Sequence, residues 1–315
     1  MSSKKIFKIG AQLIFTALGI SFIVFGLVYL APGDPVRTMY ISSGNIPSEA
    51  VIEQTREAMG LNEPFLMQYF NWLADIIRGD FGMSYSLNQP VIDIIMPRFM
   101  KSVQLAVVSM ILMMMISFPL GILAAVKANT IVDYIIRVYA ALGISMPSFF
   151  VGTILLYTIA LKLNLLPVVS VGGGVEALVL PSVTLAFVMS AKYIRQIRGI
   201  VLEELKKGYV LGGLARGIKF RTIIVKDVLL NCLFPFITLL GLSFGSLLSG
   251  VAVVEVIFSY PGIGGMAVDA ITAYDYPLIQ AYVLLISFVY MSVNFLTDLS
   301  YNLLDPRVKV GNSHE

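Results

Sequence analysis

The chain has 315 residues, of which 57% are hydrophobic and 13% are charged. Soluble domains are roughly 45–50% apolar and about 25% charged, so this composition excludes an ordinary soluble domain and indicates a membrane protein. The net charge of +3 decides little, because orientation in a membrane depends on how Lys and Arg are distributed among the loops. The single cysteine, Cys232, excludes an internal disulfide, and its apolar surroundings predict a buried residue.

Six apolar intervals predict membrane-spanning helices, each of which needs about 20 apolar residues. The charge-free intervals are 9–33, 102–126, 138–161, 177–191, 228–254 and 276–297. The first is too long for the apolar part of a signal peptide, about 7–15 residues, so we expect it to be retained as a span. The fourth is short, and we expect it to extend at one end, with Lys192 and Arg195 reaching back to the membrane surface.

Residues 31–101 form a polar segment after the first predicted span. The stretch PSEAVIEQTREAMG (47–60) predicts a short helix, with Ser48 as its N-cap and Gly60 as its stop. The apolar residues of 65–76 then recur at helical spacing and include several aromatic rings. Such a helix could lie in the membrane interface, pack on a partner, or pack on the protein's own span ends.

The distribution of basic residues predicts the orientation. Sixteen Lys and Arg residues fall in the N-terminus, the 127–137 loop, the 192–227 loop and the C-terminus, whereas six fall on the opposite side. Because cytoplasmic loops carry an excess of Lys and Arg, both termini are expected to be cytoplasmic. The 255–275 loop has acidic residues and no Lys or Arg, as expected of an external loop.

Prolines lie in four of the predicted spans, at Pro119, Pro147, Pro181 and Pro235. Neighbouring helices can satisfy the backbone groups that proline frees, so proline is tolerated within membranes. The sequence leaves two interpretations open, a packing kink or a bend in a helix that moves, and the kink is the simpler one.

Several catalytic and nucleotide-binding motifs are missing from the sequence. It contains no HExxH, no Walker A motif GxxxxGK[ST] and no Cys/His cluster, and its one histidine, His314, is next to the C-terminal residue. The predicted spans also lack the mid-membrane ionisable residues usual in proton- or cation-coupled carriers. We therefore predict that the chain is no enzyme, and that any active transport draws its energy from another subunit.

The stretch GYVLGGLARG (208–217) places four glycines in a segment that is otherwise helical in pattern. Four glycines in a helix cost roughly 4 kcal/mol relative to alanine. Gly208 and Gly212 share one helical stripe, and Gly213 and Gly217 share a neighbouring one. Small residues permit close approach of another surface, so the segment predicts a docking site; the alternative is a basic surface helix attracted to anionic lipid.

The same stretch resembles the coupling-loop motif of ATP-binding-cassette (ABC) importer permeases. In the oligopeptide, dipeptide and nickel branch this motif usually starts with Tyr-Val and ends with a small residue, a basic residue and glycine. The matching residues are Tyr209, Val210, Gly213, Ala215, Arg216 and Gly217. The chain departs from the motif at Leu211, where Glu is general, at Leu214, where the branch often has Arg, and at Leu230, where a basic residue is usual.

The likeness extends over nearly the whole chain. The stretches that resemble this branch, in order, are APGDP, LGLNEPFLMQYFNWL, GDFGMS with PVIDII, NCLFPFITLLG, VEVIFSYPGIG, DYPLIQAYVLL and LLDPRV. Their order and spacing identify the chain as a member of the peptide/nickel branch, of the first-permease type with the longer external segment.

The resemblance implies an all-α, polytopic membrane protein with six transmembrane helices, an external helical insertion after the first span and a cytoplasmic coupling helix between spans four and five. The predicted organisation is an N-terminus and first span (1–30), an external segment (31–101), a five-helix core with its coupling loop 192–227 (102–304) and a cytoplasmic tail (305–315). The residues assigned to coupling with an ATPase are Tyr209, Val210, Gly212, Gly213, Ala215, Arg216 and Gly217.

The resemblance also implies the partners, which are a second homologous permease, two cytoplasmic ATPases, an external substrate-binding protein and membrane lipid, with no nucleic acid. No cofactor is expected on this chain, because ATP and magnesium would bind the ATPases. The expected location is the plasma membrane of a bacterium or archaeon. The alternatives are an ATP-independent channel or secondary transporter, and a membrane scaffold that transports nothing.

The cargo is left open between peptides and nickel or another metal chelate. Glu255, Asp269 and Asp275 predict an acidic external face that guides a cation or a positively charged peptide end, unless they are ordinary solvated charges. The charge-poor spans favour a pathway that binds its cargo weakly and leaves selectivity to the binding protein.

Overall fold

The computed structural model describes residues 3–31, 33–42, 44, 47–170 and 174–304, and most of them are helical. In chain order the helices are α1 (Ser3–Tyr29), α2 (Pro35–Ser42), α3 (Glu49–Ala58), α4 (Phe65–Ile77), α5 (Val91–Val126), α6 (Ile131–Ser145), α7 (Ser148–Leu155), α8 (Val175–Leu205), α9 (Gly208–Ala215), α10 (Phe220–Ile223), α11 (Leu229–Gly250), α12 (Ala252–Ile257), α13 (Ile263–Thr272) and α14 (Tyr276–Leu304). Single π-helical turns, Leu156–Lys162 and Ile224–Val228, continue α7 and α10. Pro32 and the predicted tail 305–315 with His314 lie outside the described residues.

The all-α, polytopic architecture predicted from the sequence is confirmed. Within the described ranges, four helical stretches are long and apolar enough to cross a membrane, and they are Val91–Val126, Val175–Leu205, Phe220–Gly245 and Tyr276–Leu296. The bent pair of α6 with α7 and its π turn counts as a fifth if it forms one span. α8 extends well beyond 177–191, as expected for the short fourth interval. The count of six spans, with α1 as the first, stays a prediction.

The interval 138–161 is divided by a sharp bend. The axes of α6 and of α7 with its π turn meet at 99°. Pro147 precedes α7, and the residue before it, Met146, is extended with φ −93° and ψ 125°. A proline disfavours helical conformation in the preceding residue, which is why α6 ends here. By contrast, Pro181 and Pro235 lie inside helices that continue past them.

The first of two compact units contains residues 1–102 and 261–291. Its core joins the start of α5 to α13 and the start of α14, through Val91, Ile94, Ile95, Ile263, Met266, Ala270, Leu278 and Ala281. The predicted helix at 47–60 is present as α3, with Ser48 at its N-cap position and Gly60 just after its end. An Arg56–Asp34 ion pair of 2.5 Å joins α3 to the turn before α2. The described residues between 33 and 77 therefore include three short helices, of which α3 and α4 agree with the sequence pattern.

The prediction of an acidic external face is wrong for two of its three residues. Asp275 is fully buried, and its Oδ2 accepts hydrogen bonds from Ser84 Oγ at 2.5 Å, Ser86 Oγ at 2.6 Å and Ser86 N at 2.9 Å. Glu255 is also fully buried, and only Asp269 is exposed. A buried carboxylate requires hydrogen-bonding partners, so Asp275 holds the 84–86 turn to the start of α14 and does not attract ligands from solvent.

The second unit contains residues 103–260 and 292–315, and α8 is its central helix. Small residues let neighbouring backbones come very close to α8 and to its neighbours. A Cβ atom at Gly143 of α6 would lie 2.5 Å from the Ala191 Cβ of α8, and one at Gly121 of α5 would lie 2.8 Å from the Ile197 Cβ. Within membranes, helices associate largely through such close van der Waals packing, because lipid provides no hydrophobic drive between them.

One buried ion pair fixes α6 against α8. Asp133, which is fully buried, accepts hydrogen bonds from Arg198 Nε at 2.7 Å and Nη2 at 2.8 Å. The backbone N–H of Asn129 also donates to Asp133 Oδ2, at 2.9 Å. Arg137, one turn along α6, is half exposed, and its Nε lies 3.5 Å from Asp133 Oδ1, which is farther than either Arg198 nitrogen. The bidentate geometry makes Arg198 the main partner of Asp133.

We predict that Gly143→Ala destabilises the protein, although alanine normally stabilises a helix relative to glycine. The added methyl group would overlap the Ala191 methyl group, and overpacking of this kind costs about 1–3 kcal/mol. Ala191→Gly in the same chain removes the clash and should restore the melting temperature of the purified protein. Gly199→Ala on the exposed side of α8, where a Cβ meets no described atom within 4 Å, is the matched control. A Gly143→Ala protein as stable as the parent would contradict the observed packing.

We also predict that Asp133→Ala lowers the free energy of unfolding by about 3–5 kcal/mol, because it leaves the Arg198 guanidinium without its bidentate partner. Arg137→Gln removes a half-exposed partner and should cost no more than about 1 kcal/mol. Denaturant unfolding of both variants in detergent checks this difference. Equal effects of the two substitutions would show that Arg198 is not the main partner.

Candidate functional site

The glycine segment, defined as residues 204–223, begins with a two-residue elbow between α8 and α9. α8 ends at Leu205, Lys207 is extended, and α9 starts at Gly208. The mostly buried Glu204 carboxylate accepts a hydrogen bond from Tyr209 Oη at 3.0 Å and pairs with Lys207 Nζ at 2.6 Å. Hydrogen bonding to Glu204 raises the pKa of Lys207, and burial raises the pKa of Tyr209. At neutral pH both groups therefore keep the protons that they donate to Glu204. These two contacts fix the bend between α8 and α9.

Val210 and Gly213 form the inward face of α9. Val210 belongs to the buried core of the second unit, together with Val201 of α8 and Ile223 of α10. Gly213 is buried as well, and a Cβ atom there would lie 2.9 Å from Ile223 Cδ1. α9 is thus fixed both to the helix that precedes it and to the helix that follows it.

Gly217 forms the turn that ends α9. Its φ is +78°, in the left-handed region that glycine adopts most easily. Its N–H donates to the Leu214 carbonyl at 2.9 Å, and the N–H of Ile218 donates to the Gly213 carbonyl at 3.1 Å. These two bonds form a Schellman motif, which satisfies carbonyls left unpaired at a helix end. The motif reverses the chain direction so that α10 can pack back on α9.

The outward face of α9 combines exposed leucines with glycines that leave open space between them. Leu211 is 66% exposed and Leu214 is 41% exposed, and the exposed Ile218 and Phe220 extend this surface beyond the helix. A Cβ atom at Gly208 or Gly212 would meet no atom of the described chain within 4 Å. Single exposed apolar residues are ordinary on protein surfaces, but a contiguous set marks an interaction site.

The structure divides the seven predicted coupling residues into two groups. Tyr209, Val210 and Gly213 contact the protein's own helices, whereas Gly212, Ala215, Arg216 and Gly217 are exposed. The predicted pairing of Gly213 with Gly217 on one docking stripe is wrong, because Gly213 faces Ile223 and Gly217 forms a turn. Glu204 and Ile223 were not found from the sequence. The spacing of Glu204 and Lys207, three apart at a helix end, was the available signal for the elbow.

The exposed charges around this surface are basic. Lys206, Arg216, Lys219 and Arg221 are all exposed, and Arg216 Nε donates to the Gly212 carbonyl at 3.2 Å. Within the described part of the chain, no group of three or more His, Cys, Asp or Glu side chains could hold a metal ion. The segment is therefore suited to contact another macromolecule, with an apolar centre and a basic rim.

We predict that Gly217→Ala weakens the turn after α9 by about 1–2 kcal/mol, because alanine would have to adopt the left-handed conformation. Hydrogen exchange at the amides of residues 217 and 218 should become faster, since these amides donate the two bonds of the motif. Gly208→Ala is the matched control, because it falls at the start of α9 in open space and should leave this exchange unchanged. Unchanged exchange in the Gly217→Ala variant would refute the role of the turn.

Comparison with known proteins identifies the family. The model of the binding-protein-dependent transport system inner membrane component matches residues 117–310, and the model of the N-terminal part of such components matches residues 6–106. The chain is 37% identical to a probable peptide ABC transporter permease of Sinorhizobium fredii, with 91% of this chain and 93% of the relative covered. It is 33% identical to the probable D,D-dipeptide transport system permease DdpB of Escherichia coli, with 95% of both chains covered. It is 34% identical to the metal-staphylopine import system permease CntB of Staphylococcus aureus, with 93% and 94% covered.

A solved structure supports the fold. The inward-facing MetNI methionine ABC transporter superposes with a TM-score of 0.56 over 67% of this chain and 96% of the matched chain, at 15% sequence identity. At that identity the likeness concerns the fold alone. Permeases of the family work with ATPase and substrate-binding components. The chain belongs to the binding-protein-dependent transport system inner membrane components, and it is a permease subunit of an ABC importer.

Proposed function

We propose that this permease forms a pathway together with a second, related permease, and that two ATPases on the cytoplasmic side drive it. In this proposal both termini are cytoplasmic, an external binding protein delivers the cargo, and ATP and magnesium bind only to the ATPases. The excess of Lys and Arg on the side of the glycine segment supports this orientation. The cargo is a peptide or a peptide-like metal chelate, the classes named for the relatives of highest similarity described above.

The observation that carries the proposal is the two-sided geometry of α9. One side is fixed to α8 and α10 through Val210, Gly213 and the Glu204 elbow, and the other side exposes Leu211 and Leu214. A surface helix that only followed anionic lipid would need basic residues along that exposed side, and the centre of this side is apolar. A helix anchored in this way suits docking into a cleft of an ATPase.

The same geometry gives a mechanism for coupling. The segment Phe220–Gly245 is one helical stretch, and only two residues separate α8 from α9. Residues 216–219 separate α9 from the second long helix, and they contain the hydrogen-bonded turn at Gly217. A displacement of α9 would therefore reach α8 across two residues and α11 through this turn. Closely packed interiors transmit strain, and rigid-body motion of packed elements is a usual form of two-state switching. Closure of the ATPases would in this way rock α8 and α11 and change which side of the membrane the pathway opens to.

We predict that Gly212→Trp separates ATP hydrolysis from transport. The indole would stand in the open space above α9 without touching the protein's own core, and it would block the approach of the ATPase. We expect ATPase binding to weaken at least about tenfold, which corresponds to about 1.4 kcal/mol. Gly212→Ala is the matched control, because a methyl group fits the same space and should preserve transport.

The measurement uses the complete importer in proteoliposomes, with ATP hydrolysis and uptake followed in parallel. Radiolabelled dipeptide and radiolabelled nickel chelate are supplied separately, so that the unmodified importer also reveals its cargo class. A second variant, Leu211→Asp, places an unpaired charge on the same face and should have the same effect. Full uptake by both Gly212→Trp and Leu211→Asp would overturn the docking assignment.

A further inference from the structure

α4 presents three distinct faces, which its helical periodicity separates cleanly. Phe65, Tyr69 and Trp72 pack on α1, where Tyr69 Oη lies 2.9 Å from Ser21 Oγ and the Trp72 ring centroid lies 5.2 Å from that of Phe25. The Phe65 ring meets the rings of Phe22, Phe25 and Tyr29 in the same cluster. This packing answers one question left open by the sequence, because α4 does rest on the protein's own first helix.

A polar stripe runs along one flank of α4. It consists of Gln68, Asn71 and Asp75, which recur at helical spacing. Gln68 Nε2 donates to the carbonyls of Leu61 and Glu63, and Asn71 Nδ2 donates to the Glu63 carboxylate at 3.1 Å. All three residues line an open cavity of about 970 Å³ within the first unit, together with the charged side chains of Asp34, Arg56 and Asp80. This flank of α4 therefore faces water.

The opposite flank of α4 is apolar and exposed. Leu66, Phe70 and Ile77 are 55%, 61% and 77% exposed, and Met67 lies beside them. At about 100° per residue, this flank points nearly opposite to the polar stripe. Between Phe65 and Ile77 the only charged residue is Asp75, which belongs to the polar stripe. The helix is thus amphipathic even after its contact with α1 is accounted for.

Apolar side chains of α1 are also exposed beside the contact with α4. Phe22, whose ring meets the rings of Phe65 and Tyr69, is 44% exposed, and Leu18, one turn earlier in α1, is exposed to the same extent. At about 1.5 Å per residue, Ser21 lies roughly 12 Å below the end of α1 at Tyr29. The contacts of α4 with α1 therefore lie between the end of α1 and this depth, which is the depth of headgroups and outer acyl chains if α1 spans the bilayer.

We propose that α4 is an interfacial helix inserted into the external leaflet, with Leu66, Phe70 and Ile77 in contact with lipid acyl chains and the polar stripe facing the aqueous cavity. The proposal rests on the proposed role of α1 as the first span and on the proposed orientation. An amphipathic helix held in this plane would anchor the segment 31–101 at the membrane surface, so that the segment cannot tilt away from the pathway.

The test uses nitroxide spin labels on the complete importer reconstituted in lipid. Single cysteines replace Phe70, Asn71 and Phe15, the last an exposed residue of α1; Cys232 is retained because it is buried, and the unsubstituted protein measures its background. Power saturation compares oxygen, which concentrates in lipid, with chromium oxalate, which stays in water. Fluorescence of Trp72, the only tryptophan of the chain, checks that each variant keeps the packing of α4 on α1.

We expect the label at residue 70 to be accessible to oxygen and shielded from chromium oxalate, and the adjacent label at residue 71 to show the reverse. A label at residue 70 that is accessible to chromium oxalate would overturn the proposal, as would one shielded from both reagents, which would indicate that the sister permease covers this flank. The label at residue 15 separates failure of the α4 placement from failure of the proposed first span. If it is in lipid while residue 70 is not, α1 is a span and only the placement of α4 fails; if it is in water, the proposed first span fails.

Discussion

The architecture depends on glycines at which a residue of another element occupies the space that a side chain would fill. Gly121, Gly143 and Gly213 each lie so close to another helix that a Cβ atom would meet it at 2.9 Å or less. In a bilayer no hydrophobic effect drives apolar helices together, because lipid tails are as apolar as the helices. Such close packing is therefore a main source of association between spans. It also makes the contacts stiff, since a densely packed interface has few ways to deform. The proposed transmission of motion from α9 to α8 and α11 requires that stiffness.

The contact at Gly213 links this packing to function. A glycine-rich helix in isolation would be weak, since each glycine costs about 1 kcal/mol relative to alanine. Here the cost is offset by burial of Val210, by the Glu204 elbow and by the turn at Gly217. Two of the three departures of the sequence from the coupling motif, Leu211 and Leu214, fall on the exposed face of α9. An apolar contact at these positions would replace the charged contacts usual in the motif.

The sequence predicts those features that depend on local pattern. Charge-free intervals indicate the long helices, the Ser48 and Gly60 signals bound α3, and the family motif marks the glycine segment. Features that depend on distant partners could not be predicted. Asp275 is buried because Ser84, 191 positions away, donates to it, and Asp133 meets Arg198 across 65 positions. Gly213 is likewise buried against Ile223, a residue that the coupling motif does not include.

The central claim, that the outward face of α9 rests on an ATPase while its inward face stays within the permease, is tested most directly by cross-linking. Cysteines would be placed one at a time at Leu211 and at its buried neighbour Val210 in the assembled importer, with a short bifunctional reagent that reacts with ATPase lysines. The account predicts an ATPase adduct from residue 211, with a yield that changes when ATP is bound, and none from residue 210. Reaction of the cysteine at residue 211 with an impermeant reagent added outside intact cells, or cross-links only to lipid, would contradict it.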